Sequence, residues 1–188
     1  MQLIILDRDG VINQDSPDFI KSPEEWQPIK GSLEAIAQLS QAGYDVVVMS
    51  NQSGVGRGLF SADMLGQIHV RMIDYVQQLG GKIQSILFCP HHPNEDCHCR
   101  KPNTGMYDEL ADRLKISFSD VYSVGDSLRD LQAATSAGAK PILVKTGNGR
   151  KTLQELNSTP NSDLLNVPVF QNLAKFVTTL LHGDTASL

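Results

Sequence analysis

Short apolar runs alternate along the chain with longer segments in which apolar residues recur three and four apart. The runs at 3–6, 45–49, 86–89, 121–124 and 141–144 predict five strands. Between them, Leu33, Ile36, Ala37 and Leu39 predict a helix that stops at Gly43. A second helix starts after Ser61, a good N-cap, carries Met64, Ile68, Met72 and Val76, and ends before Gly80 and Gly81. Shorter helices are predicted over 106–114 and 130–137, the latter closed by Gly138, and a last one over 173–181. The stretch 157–166 is polar and reads as loop, and 182–188 as a flexible tail. Strands apolar almost throughout, separated by helices, imply a parallel sheet covered on both faces. The expected fold is α/β, a doubly wound parallel sheet of Rossmann-like form, in one domain over 1–181.

Composition narrows the partners more than the fold. The net charge of −5 argues against a sequence-independent grip on nucleic acid, which needs many phosphate-neutralising cations. No apolar run approaches the roughly 20 residues of a membrane helix, so no membrane partner is expected. The first residues lack a basic segment followed by a long apolar stretch, which reads as no signal peptide and a cytoplasmic location. There the three cysteines are expected as thiols or metal ligands rather than disulfides. A small molecule is the expected partner, and the chain is expected to act as a monomer.

Ligands of a doubly wound sheet bind where the loops leave the carboxyl ends of its strands. The chemically suggestive residues fall there. Asp7 and Asp9 follow the first predicted strand, and alternation along an extended chain puts them on one side with Arg8 pointing away. Gly10 then permits a turn. Ser50, Asn51, Gln52 and Ser53 follow the second strand and offer a hydroxyl and free N–H groups to phosphoryl oxygens. Asp126 follows the fourth, and two or three carboxylates around one point suit magnesium, which keeps its other positions for water and phosphate. Asp130, one helical turn on, reads equally as a first-turn acid or as support for the metal site. Lys101 reads as a solvated charge or, near three carboxylates, as a cation held by them.

All three cysteines lie in one segment, 89–99, with the spacing Cys89-x-His91-x₅-Cys97-x-Cys99. Three sulfurs and an imidazole form a common tetrahedral zinc set, with His91, His92 and His98 as the candidate nitrogen donors. A closed set of four leaves no open position, so such a zinc is structural and holds the loop that leads to Arg100 and Lys101.

The order Asp-x-Asp-Gly, then Ser after strand two, then Lys, then Gly-Asp-x-x-x-Asp resembles the haloacid-dehalogenase (HAD) superfamily of aspartate-nucleophile phosphatases. The longer strings Asp7-Arg-Asp-Gly-Val-Ile-Asn13, Ser50-Asn-Gln-Ser-Gly-Val-Gly-Arg-Gly58, Cys89-Pro-His-His and Cys97-His-Cys99-Arg-Lys-Pro-Asn-Thr-Gly-Met106 are more specific. They resemble the D,D-heptose 1,7-bisphosphate phosphatases of lipopolysaccharide heptose biosynthesis and, more distantly, the histidinol-phosphate phosphatases, whose short zinc loop this chain shares. The resemblance implies an HAD fold without a large cap, since neither connection after the first two strands has room for one. It implies Asp7 as nucleophile, Asp9 as general acid and base, and Ser50 and Lys101 as stabilisers of the phosphoryl group. It further implies Mg²⁺ on Asp7, Asp126 and the Asp9 carbonyl, and His91 as the fourth zinc ligand. Substrate recognition then falls to Asp15, Ser16, Pro17, Asp18, the 50–53 loop, Arg100, Lys101 and Ser127. The implied reaction removes the C7 phosphate of D-glycero-D-manno-heptose 1,7-bisphosphate through an aspartyl-phosphate, with histidinol phosphate as the alternative substrate.

Two other classes compete. A phosphoryl-accepting receiver domain places its acceptor Asp after the third strand, where this chain has Cys89. A zinc-bearing nucleic-acid module needs a basic stripe that the sequence lacks.

Overall fold

The computed structural model describes residues 2–158 and 163–183. Its strands are β1 (Gln2–Leu6), β2 (Tyr44–Asn51), β3 (Ser85–Cys89), β4 (Tyr122–Gly125), β5 (Lys140–Val144) and β6 (Val169–Phe170). Its helices are α1 (Ser32–Gln41), α2 (Ser53–Gly56), α3 (Ala62–Gln78), α4 (Gly105–Leu114), α5 (Leu128–Ser136), α6 (Gly149–Ser158) and α7 (Leu173–His182). The strands form one parallel sheet in the order β3-β2-β1-β4-β5-β6. The chain builds outward from β1 on one side, then returns to β1 and builds outward on the other. The loops after β1 and β4 therefore diverge over a crevice, the switch point at which such sheets bind ligands.

Alternation along β1 divides the core. Ile4 and Leu6 point to the side of α1, α3 and α7, where they meet Ile36, Leu39, Ile68, Met72, Phe176 and Val177. Leu3 and Ile5 point the other way, to Met106, Tyr107 and Leu110 of α4 and Ala133 and Ala134 of α5. Because both faces are covered, a polar strand residue has no solvent to turn to except at the strand ends.

All five predicted strands and the five predicted helices form, with ends shifted by a residue or two. Ser61 caps α3 by accepting a hydrogen bond from Met64 N at 3.1 Å. Three elements have no counterpart in the sequence reading. The helix α6 is mostly charged and polar, and it buries only Gly149, Thr152 and Leu156, too few for a clear periodicity. The two-residue β6 is too short to alternate, and α2 is a single turn. Asn157 and Ser158, expected in loop, close α6, while 159–162 lie outside the described residues. Helix α7 includes His182, the first residue of the expected tail, and 184–188 again lie outside. Among the described residues no separate cap domain is present: β1 and α1 are joined by a loop with one 3₁₀ turn, and β2 and β3 by α2 and α3.

Candidate active site

A cleft of about 340 Å³ opens at the carboxyl ends of β1, β2 and β4, at the low end of the size usual for small-ligand sites. Asp7 sits at its floor because its N–H continues the sheet ladder, donating to Val124 O at 2.9 Å. That bond fixes the end of β1 beside the end of β4, and so brings Asp7 to Asp126. Lys101 enters from the loop before α4 and is only 3% exposed. Its Nζ donates to Asp7 Oδ1 at 2.8 Å and to Met49 O at 2.8 Å, and it pairs with Asp130 Oδ1 at 2.6 Å. Asn51 holds the lysine's backbone from both sides, accepting from Lys101 N at 3.1 Å and donating to Lys101 O at 3.0 Å.

Asp130 is the first-turn acid of α5, and it also pairs with Lys101. It accepts from Ser127 N at 3.0 Å and from the Ser127 hydroxyl, a capping box for α5. Ser127 is thus buried as a cap and lies off the cleft wall. Of the expected substrate loop, Asp15 and Ser16 line the cleft together with Phe19, whereas Pro17 and Asp18 do not. Ser50 does line it, and its hydroxyl accepts from Gln52 Nε2 at 2.7 Å.

Arg8 departs from the alternation argument. The chain leaves the strand after Leu6 and turns at Gly10, whose φ is +80°, so period two no longer applies. Instead of pointing away, Arg8 folds back in the buried interior. It donates to Asp9 Oδ1 through Nε at 3.1 Å and to both Asp9 oxygens through Nη2 at 2.9 Å. Asn13 and Gln52 each add a bond to Asp9 at 2.8 Å. Burial pushes the Asp9 carboxyl up, but these donors outweigh it and hold its pKa below the usual value.

Oxygens of Asp7, Asp126 and Asp130 lie within 4.8 Å of one another. Burial first, then mutual repulsion, raises the pKa of Asp7 to about 7 despite Lys101, and that of Asp126 to about 8. Three buried carboxylates against one lysine lack a cation, and hard oxygen donors at a water-accessible cleft fit a divalent one. A pH dependence follows. Groups with raised folded pKa values stabilise the fold at low pH, and that contribution disappears as pH rises through about 7 and about 8. In EDTA the melting temperature is therefore expected to fall from about pH 4, where the unfolded carboxyls ionise, to about pH 8 and to level off above it, and added Mg²⁺ to cancel the fall. A flat or rising EDTA profile in thermal melts contradicts this charge balance.

Beside the cleft, Cys89, His91, Cys97 and Cys99 form a second cluster, again with ligand atoms within 4.8 Å. His91 Nδ1 lies 3.1 Å from Cys99 Sγ and 3.5 Å from Cys89 Sγ. The other candidate donors are engaged elsewhere, His92 with Asn94 N and His98 with Asp108. Burial and the adjoining thiols push Cys99 up to about 12, so three thiolates cannot coexist here without a cation. The donor set fits zinc.

Several cleft residues were not expected from the sequence. Arg57 and Arg129 join Arg100 on the wall, and Phe19 lies under Arg57 with the guanidinium 5.8 Å from the ring centre. Burial and then the charges of Arg129 and Arg57 lower the pKa of Arg100, and its Nη1 is buried without a partner. Asn148, from the loop after β5, is the fourth unexpected member. The rule that ligands meet strand ends extends to β5 and could have found it; Arg57 lies within the Ser50–Gly58 string but was not singled out there, and nothing in the local sequence marks Arg129.

Residues 98–167 match the HAD-hydrolase-like family model. A D-glycero-β-D-manno-heptose-1,7-bisphosphate 7-phosphatase of Bordetella bronchiseptica is 56% identical over 155 residues, 82% of this chain and 87% of the relative. One from Neisseria meningitidis serogroup B is 48% identical over 99% of this chain and 98% of its own. A crystal structure of the D,D-heptose 1,7-bisphosphate phosphatase from B. bronchiseptica, complexed with magnesium and phosphate, superposes with a TM-score of 0.91 at 50% identity, covering 98% of this chain and 100% of that one. An Asp-x-Asp pair, a buried lysine and a second acidic strand end on this sheet define a phosphatase of the haloacid-dehalogenase type. Within that class, the chain belongs to the D-glycero-β-D-manno-heptose-1,7-bisphosphate 7-phosphatase family.

Proposed function

We propose that the protein removes the C7 phosphate of D-glycero-D-manno-heptose 1,7-bisphosphate and keeps the C1 phosphate, on the route to nucleotide-activated heptose for lipopolysaccharide. The observation that carries the substrate reading is the charge that lines the cleft. Asp7 and Lys101 serve a reacting phosphoryl group. Arg57, Arg100 and Arg129 line the same cleft with no ion-pair partner among the described residues and offer their charge to a second anion.

Asp7 attacks phosphorus in line and forms an aspartyl-phosphate, which splits a slow hydrolysis into two faster steps. Lys101 is held against Asp7 and offers positive charge to the phosphoryl oxygens, with Ser50 donating beside it. Asp9 gives a proton to the departing C7 oxygen and later takes one from the hydrolytic water. The ionised, fully hydrogen-bonded Asp9 of this structure is the form suited to the second task. Asp7, Asp126 and the Asp9 carbonyl would hold Mg²⁺, which supplies positive charge to offset the repulsion between nucleophile and phosphate. The relative crystallised with magnesium and phosphate supports this choice of metal.

Zinc at Cys89, His91, Cys97 and Cys99 is structural in this reading and fixes the approach of Arg100 and Lys101. The loop, 89–99, belongs to a single domain that functions as a monomer in the cytoplasm, where thiols stay reduced. Among the described residues no helix is long and apolar enough to cross a membrane. Purified protein is expected to carry one zinc per chain. A Cys97→Ser, Cys99→Ser variant is expected to lose it and to raise KM about tenfold or more. Full activity without zinc would remove this role.

The deciding experiment compares phosphate release from heptose 1,7-bisphosphate and from histidinol phosphate, with the bisphosphate product identified by phosphorus NMR. The bisphosphate is expected to have the higher kcat/KM and to yield the 1-phosphate. A preference for histidinol phosphate, or loss of the C1 group, overturns the substrate and leaves the phosphatase.

A further inference from the structure

The loop that follows β5 enters the cleft from a side that the other strand ends leave open. Thr146 Oγ1 donates to Gly10 O at 2.6 Å and pins this loop to the turn after Asp9. The carboxylate of Asp126 passes between two bare backbones, since a Cβ on Gly10 or on Gly147 would collide with its Oδ2. Beyond them Asn148 makes the contacts that matter. Its backbone N–H donates to Asp126 Oδ2 at 2.6 Å. Its side-chain Nδ2 donates to Asp15 Oδ2 at 2.8 Å and lies 3.3 Å from Asp126 Oδ2. Asp15 Oδ1 accepts from Ser16 N at 2.8 Å, so Asp15 is held at both oxygens.

Asp15 and Asp126 repel each other, and this amide reaches both. An NH₂ group has one hydrogen for each carboxylate, whereas an aspartate there would add a third anion and an alanine would leave the two facing. Held this way, Asp15 lines the cleft in company with Arg57, Arg100 and Arg129. A hydroxyl-bearing stretch of substrate would lie along that wall.

We propose that Asn148 is a positioning residue that joins the cation-binding carboxylate Asp126 to the substrate-binding carboxylate Asp15. One side chain then sets both the metal site and the face that reads the polyol between the two phosphates. The second half of this statement rests on the proposed substrate; the first does not.

The test compares wild type with Asn148→Ala, Asn148→Ser, Asp15→Ala and the Asn148→Ala, Asp15→Ala double variant. Asn148 is exposed, so all four are expected to fold, with thermal melts as the check. Calorimetric titration of the protein with Mg²⁺ alone is expected to show about tenfold weaker binding in Asn148→Ala, the usual scale for loss of a group that orients a metal ligand. Asn148→Ser, too short to span both acids, is expected to match it. For heptose 1,7-bisphosphate the same variant is expected to raise KM about tenfold at saturating Mg²⁺. For p-nitrophenyl phosphate, which carries no hydroxyls, KM is expected to stay within about twofold. The double variant is expected to be no worse than Asp15→Ala, because both changes remove one coupled unit. Unchanged Mg²⁺ affinity, equal KM increases for the two substrates, or KM effects that multiply in the double variant would each overturn the proposal. If wild type does not hydrolyse the bisphosphate, the substrate reading fails while the Mg²⁺ titration still decides the link to Asp126.

Discussion

Asp7→Asn is expected to lower kcat by more than about 10⁴-fold, the scale seen when a nucleophile is removed from an enzyme that works through a covalent intermediate. The amide is close to isosteric, so the loss would not come from unfolding. It can accept from Lys101 Nζ as the carboxylate does at 2.8 Å, but it is no nucleophile toward phosphorus and brings no charge to a cation. Removing one of three crowded carboxylates also relieves repulsion, so the metal-free variant is expected to melt at or above the wild-type temperature. Acid-quenched single turnovers with labelled substrate should trap phosphoenzyme in wild type and none in the variant. Turnover within tenfold of wild type would end the aspartyl-phosphate mechanism.

Lys101→Met is expected to damage stability and chemistry together. The methionine fills most of the volume, yet it leaves Asp7 and Asp130 buried with no counter-charge, a change that costs about 3–5 kcal/mol when one partner of a buried pair is lost. The melting temperature of the metal-free protein should drop accordingly at pH 8 and much less at pH 5, where Asp7 can protonate. With Mg²⁺ and substrate, loss of the positive group at the phosphoryl oxygens should cost on the order of 10²–10³ in kcat. Urea denaturation and steady-state kinetics on the same preparation separate the two effects. A variant as stable and as active as wild type would place Lys101 outside the site.

Sequence carried the site wherever a side chain's position follows from the sheet alone. Asp7 and Asp126 end neighbouring parallel strands, so their meeting is a matter of topology, and topology was written in the apolar runs. Cys89, Cys97 and Cys99 were legible because thiols in so short a segment have few other uses, whereas His91 stood out from His92 and His98 only through the resemblance. Arg8 was not, because the alternation rule stops where the strand stops, and a buried arginine follows its carboxylate rather than a period. Arg57, Arg129 and Asn148 escaped for a different reason. They come from three separate segments, the end of α2, the first turn of α5 and the loop after β5, and only the tertiary fold says that these face one another. Ser127 was expected at the substrate and caps α5 off the cleft wall, since the same hydroxyl serves either purpose. Helix α6 gave no signal because a helix lying on the rim of the sheet needs only a thin apolar stripe.

The strand order has a consequence for when this protein becomes an enzyme. Asp7 is made well before its neighbour across the seam, Asp126, and Asn148 comes later still. A nascent chain that has laid down β1, β2 and β3 holds Asp7 and Cys89, the first residue of the cysteine loop, yet it has half of the proposed cation site. In that proposed site, magnesium between Asp7 and Asp126 joins the earlier-made half of the sheet to the later-made half. Its binding free energy therefore adds to the closure of the seam and not to either half. A chain interrupted before β4 lacks Asp126 and is expected to release no phosphate from esters.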